Sequence, residues 1–306
     1  MEFDINAICH QQIAEKLGVP KRYYDRMMED APGLLLDNVN TWLREEPGKR
    51  MVRTLDGSAR AFLSDRYRPL DNYDLVQVVF PALQEAGCEM KSCQVTDSRL
   101  YLQAVAMDIT SEIRKDSVSV GDIVKAGVCV QNSEVGQGTL SVQPLLYRLA
   151  CKNGMIVPIH GMKQTHLGKS HGESGEITRH FQQDTLAADD KAFFLKVRDT
   201  VKGVLSEDVF GSIVGTLEEG TARKIEGDPV GVIEVVQEHI GLSDGERGNV
   251  LRHLIEGGDL SQWGVVNAVT RSAEDCESYD RGVELETDAW KIAELDNAGW
   301  ARMAAA

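Results

Sequence analysis

Leu100-Tyr101-Leu102-Gln103-Ala104-Val105-Ala106-Met107 and Ile123-Val124-Lys125-Ala126-Gly127-Val128-Cys129-Val130-Gln131 are two proline-free runs dominated by apolar and β-branched residues. Each reads as a β-strand. Gly136-Gln137-Gly138 supplies a turn into a third strand over 139–142. Pro144 then stands where a helix places its first turn, which predicts a helix over 145–152 ended by a left-handed cap at Asn153-Gly154. Strand, strand, strand, helix, with no βαβ alternation, predicts an α+β fold in which an antiparallel sheet is packed by helices.

Working outward, Met51–Leu55 and Ala59–Leu63 flank Asp56-Gly57 and read as a hairpin. Asp71 or Asn72 caps a helix over about 73–85. The stretch before Pro47-Gly48 carries apolar residues at helical spacing, and so does most of the chain beyond 185, in segments near 185–205, 209–219, 229–240, 244–255 and 260–276. Trp263 recurs with Leu260, Val266 and Val269 at spacings of three, which predicts a buried ring on a helix face. The expected organisation is a helical segment at 1–49, an α+β core at 50–185 and a helical acidic region at 186–306.

The net charge of −15 is unevenly placed. Residues 1–200 hold 24 Lys and Arg against 27 Asp and Glu, whereas residues 201–306 hold 9 against 21. The acidic third is expected to lie away from any phosphate chain and to be removable from about residue 206 onward. No apolar run reaches the ~18–20 residues that span a bilayer, and the N-terminus shows no signal peptide, so a cytoplasmic, membrane-free protein is expected.

Chemistry-bearing motifs are sparse. The six cysteines form no C-x-x-C pair, and His160, His166, His171 and His180 fit no ligand spacing, so neither metal nor other cofactor is expected. Gly168-Lys169-Ser170 lacks the upstream glycine of a phosphate loop, because Lys163 stands there. A non-enzyme is expected.

Two cationic groups are the candidates for binding. Arg148 and Lys152, at i and i+4 of the expected helix, together with Lys163, Lys169 and Arg179 in the following loop, would track a phosphodiester chain. The alternative for this group is ordinary solvated surface charge. Residues 12–28 look like a helix-turn-helix offering Arg22 and Arg26 to duplex DNA, weighed against a plain helical hairpin.

Three stretches together resemble a known family: Arg66-Tyr67-Arg68-Pro69-Leu70-Asp71-Asn72, the segment 142–153 ending Leu149-Ala150-Cys151-Lys152-Asn153, and Trp263-Gly264-Val265-Val266-Asn267-Ala268-Val269-Thr270. They are similar to the phage/plasmid-like family termed domain of unknown function nine hundred thirty-two. The resemblance spans about residues 50–280 and implies a mobile-element setting, with Arg66 and Arg68 added to the binding set and no catalytic residues to carry over. A looser likeness of architecture links the chain to phage single-strand annealing proteins of the Redβ, RecT and Erf types, which form rings or filaments. The expected function is ATP-independent binding or annealing of single-stranded DNA in recombination, by a homo-oligomer. The alternatives are a sequence-specific duplex binder and an acidic interaction protein that inhibits a host system.

Overall fold

The computed structural model describes residues 3–45, 47–114, 121–159, 161–164 and 183–305. In chain order the elements are β1 (Asp4–Ile5), α1 (Ala7–Lys16), α2 (Lys21–Asp30), α3 (Pro32–Glu45), β2 (Arg50–Leu55), β3 (Ser58–Ser64), α4 (Asn72–Glu85), β4 (Cys88–Val95), β5 (Leu100–Ile113), β6 (Asp122–Asn132), β7 (Leu140–Arg148), β8 (Gly154–Ile156) and β9 (Met162–Gln164). Helices follow: α5 (Gln183–Val204), α6 (Glu207–Ala222), α7 (Pro229–Ile240), α8 (Asp244–Gly257), α9 (Gln262–Ser272), α10 (Tyr279–Ala293) and α11 (Asn297–Ala304). The α+β class holds.

The main sheet runs β4-β5-β6-β7-β8 with every pairing antiparallel, and β9 joins the far end of β7. Its apolar strands are buried on both faces. Even-numbered side chains (Leu102, Ala104, Val128, Val130, Val142) pack under α4 and α5. Further along the same face, Val124, Ala126 and Leu146 pack with α6 to α11. Val105 stands opposite Gly127 but Thr110 opposite Lys125, so five steps on β5 answer two on β6. The excess of three is odd and reverses the side-chain parity, which is why Ile113 joins the even-numbered side chains of β6 in that core.

The expected helix over 145–152 is corrected: Leu145, Leu146 and Tyr147 are ladder residues between β6 and β8. Leu145 and Leu146 point to opposite faces and enter different core clusters, a two-residue period that a helix cannot satisfy. Pro144 does not interrupt the strand. It falls between the segment of β7 paired with β9 (140–142) and the segment paired with β8 (145–147), at an edge position where its missing N–H is tolerated. A turn at 149–153 follows, with Lys152 in the left-handed region at φ 57°.

The hairpin at 50–64 forms, but it pairs with β1 in a separate three-stranded sheet rather than extending the main one. Beyond 185 the chain is helical as expected, and Trp263 is buried on α9. The core that α6 to α11 build also contains Ile113, Val124, Leu146 and Met155 of the sheet. The C-terminal helices therefore cover the sheet, and the expectation that they can be removed without exposing its core is corrected.

Candidate binding cleft

The strands place side chains in rows across the second face of the sheet, even-numbered on β4 and odd-numbered on β5, β6, β7 and β9. One row reads Ser92, Gln103, Cys129, Gln143; the next reads Gln94, Tyr101, Gln131, Ser141, Lys163. Strand polarity of this kind, amides and a hydroxyl among valines and leucines, costs stability unless the groups are bonded. Helix α10 answers part of that demand. Tyr279 and Ser92 share a hydroxyl contact of 2.5 Å, Asp280 accepts from Thr96 Oγ1 (3.0 Å) and Ser98 Oγ (2.6 Å), and Glu286 Oε2 accepts from Gln103 Nε2 at 2.7 Å. Burial pushes the Glu286 carboxyl up to about 7, against the stabilising bond from Gln103. The same burial raises Cys129 to about 12, so that thiol stays protonated at neutral pH.

Beyond Glu286 the helix and the sheet part, leaving an open cleft of about 470 Å³. Gln131, Ser141 and Gln143 of the sheet form one wall, and Val283 and Thr287 of α10 form the other, with Arg99 and Lys163 also lining it. Arg99 is fixed by donating from Nε (3.0 Å) and Nη2 (2.5 Å) to the Gln137 carbonyl. Lys163 is exposed and makes no ion pair among the described residues. The carboxylates on this rim are engaged elsewhere: Glu284 with Arg281 at 3.1 Å and Asp288 with Lys291 at 2.8 Å. Gln143 is 3% exposed, and its Nε2 has no hydrogen-bond partner among the described residues.

The cations expected to bind are distributed differently. Arg148 lies inside the fold, its Nη2 2.7 Å from Asp122 Oδ1, and Trp263 Nε1 donates to the other oxygen of that carboxylate at 2.9 Å. Arg148 is thus a structural ion-pair residue rather than an exposed contact. Lys152 is exposed in the turn and does not share a helical face with it. Arg68 is held by Asp189 at 2.8 Å and by Asp190, with its guanidinium 5.9 Å from the Phe193 ring centroid. Arg66 is exposed. Lys169 and Arg179 lie outside the described residues, as do His160, His166, His171 and His180. Of the described members of the set, only Lys163 lines the cleft.

Two helices joined by a short turn form at α1 and α2, and α2 carries Asp25, Glu29 and Asp30 against Lys21, Arg22 and Arg26. Lys21 pairs with Asp25 at 2.9 Å and Arg26 with Asp30 at 3.2 Å, so the helix presents no net positive face.

Of the stretches that carry the family resemblance, 66–72 is bonded to the end of β6 and the turn after it, whereas 142–153 and 263–270 meet each other. Asn72 N donates to Glu134 (2.8 Å), Tyr67 Oη to the Ser133 carbonyl (2.8 Å), and Asn132 Nδ2 to the Leu70 carbonyl (2.8 Å). Arg53 and Arg60 approach the same Glu134 at 3.8 and 3.6 Å. The second contact joins Asn153 Nδ2 to Thr270 Oγ1 at 2.5 Å, beside the Arg148–Asp122–Trp263 set. Both are buried hydrogen-bond networks that hold turns to the sheet.

Sequence reasoning missed Arg99, Gln131, Ser141, Gln143 and Glu286. The signal was present: Gln103, Gln131, Ser141 and Gln143 are polar residues at odd-numbered positions in strand runs that are otherwise mostly apolar, with Ser141 and Gln143 two apart. Among the described residues, no group of three His, Cys, Asp or Glu can hold a metal ion, and no helix is long and apolar enough to cross a membrane. Comparison with family models, curated proteins and solved structures finds no match. The family resemblance thus rests on the motif residues alone.

Proposed function

We propose that this chain binds single-stranded nucleic acid along the cleft between the sheet and α10, in the ATP-independent manner of a recombination protein of phage or plasmid origin. The observation that carries the reading is the lining of the cleft: neutral amides and hydroxyls together with the cations Arg99 and Lys163, while the two carboxylates that also line it, Glu284 and Asp288, are each paired with a cation of α10. Single strands are held by such a combination, cations for the backbone and neutral polar or planar groups for exposed bases. A duplex gains little from a concave seat of this width, because its base edges are already paired. The likeness of architecture to annealing proteins rested on a basic helix after the third strand; β7 occupies that stretch instead, so the likeness does not carry the reading, and fold alone fixes no function.

The test is an anisotropy titration of a labelled single strand and the matching duplex over a range of salt. Single strands should bind more tightly, and Lys163→Ala should flatten the slope of log K against log salt by ~0.7, one phosphate contact's share. Equal affinity for duplex, or an unchanged slope in the variant, would refute the placement.

A further inference from the structure

Gln143 is the least economical residue of the cleft. Its side chain is 3% exposed, its Oε1 lies 3.4 Å from Ser141 Oγ, and its Nε2 is buried without a partner. An orphaned buried donor costs about 1–3 kcal/mol, and leucine would fill a similar space without that cost. Native structures keep few such groups, and each calls for a reason.

The surroundings supply one. Gln143 is among the residues lining a cleft whose volume of about 470 Å³ lies within the ~300–1,000 Å³ of small-ligand sites, and a turn of its terminal amide brings the buried donor to a ligand there. Across from the amides stands Val283, 5% exposed, an apolar surface for one face of a flat ring. Arg99 is held in place by its two bonds to Gln137, and a fixed guanidinium plane is a common stacking partner for an unstacked base. Lys163 lines the same opening and is exposed for the attached phosphate. Nothing charged is presented by the sheet in the Gln143 row, which reads Ser92, Gln103, Cys129, Gln143. A neutral acceptor is therefore the complement of the Gln143 donor.

Resting on the single-strand reading above, we propose that the cleft seats one unstacked nucleobase, and that Gln143 Nε2 donates to a carbonyl oxygen of that base. The seat makes binding depend on bases as well as on phosphates, and favours bases that present a carbonyl, such as thymine. Gln143 is the specificity-determining residue, while Lys163 serves backbone affinity whatever the sequence.

The experiment uses the full chain with two labelled probes of equal length: oligothymidylate, and a wholly abasic deoxyribose-phosphate chain. The parental protein should bind oligothymidylate about tenfold or more tightly than the abasic chain. Gln143→Leu should lower affinity for oligothymidylate about tenfold, the size of one good hydrogen bond at 1.4 kcal/mol per decade. It should leave abasic binding and the salt slope unchanged, and its melting temperature should equal or exceed the parental value. Gln143→Met, close to glutamine in length and without a donor, should show the same selective loss and guards against a leucine-specific packing effect. Parental affinity in Gln143→Leu, or an equal loss on both probes, would overturn the base seat while leaving single-strand binding standing. Failure of the parental protein to bind either probe would instead remove the single-strand reading, and the seat with it.

Discussion

Asp122 holds two donors at once, the Arg148 guanidinium at 2.7 Å and the Trp263 indole N–H at 2.9 Å, and both partners are largely buried. Removing one side of such a set leaves an uncompensated charge inside the protein, which costs about 3–5 kcal/mol. Asp122→Ala should therefore lower the denaturation midpoint in proportion, and a loss below about 1 kcal/mol would show that Arg148 finds water instead. A second single-residue effect comes from Glu286. Its folded-state value near 7 lies above the ordinary 4.5, so the folded protein holds a proton that the unfolded chain has released. Stability should then fall as pH rises from about 4.5 to 7, by about 1.4 kcal/mol per pH unit, and level off above 7. Glu286→Gln should remove that slope and be the more stable form at pH 8. Identical pH profiles for the two proteins would show that the carboxyl ionises freely in the folded state.

Helix α9 shows what an element needs beyond its own periodicity. A Cβ added at Gly264 would lie 1.8 Å from the Asp259 carbonyl oxygen, so the first turn of the helix closes against the preceding loop only with glycine there. Gly264→Ala should cost about 3 kcal/mol or more, at the upper end of overpacking effects, read as a lowered midpoint in urea. A neutral effect would mean that the 259–264 turn is loose. The helices beyond 185 and the strands at 100 and 123 were legible because their apolar periods are long and uninterrupted. The segment 145–152 was not, for a physical reason. Leu145 and Leu149 satisfy a helical spacing, and the competing strand reading is decided by partners far away in sequence, Gly127 and Ile156. Pro144 misleads in the same way, since only the gap between β8 and β9 makes it acceptable in a strand. The cleft was illegible as a site because its parts are single glutamines and a serine on different strands. Register across β5, β6 and β7, which no local pattern specifies, is what lines them up.

At the scale of the whole molecule, one sheet carries two different jobs on its two faces. The even-numbered face is closed by α4, α5 and the C-terminal helices into continuous apolar cores. Among the described residues, α10 covers part of the odd-numbered face of β5 to β7, and the part of that face that lines the cleft is polar. The acidic C-terminal third thus acts as the sheet's cover, and its ion pairs, such as Arg281 with Glu246 at 2.7 Å, are spent within the fold. The phosphate-tracking helix expected from Arg148 and Lys152 does not exist, which moves the binding proposal from a basic helix to a neutral cleft flanked by Arg99 and Lys163. The most direct test of that claim is photocrosslinking of the full chain to a single strand bearing 4-thiothymidine, with the adducts mapped by peptide. The account predicts adducts in β6 and β7 around 131–143 and in α10 around 283–288; adducts confined to α2 at Arg22 and Arg26, or spread evenly over the surface, would contradict it.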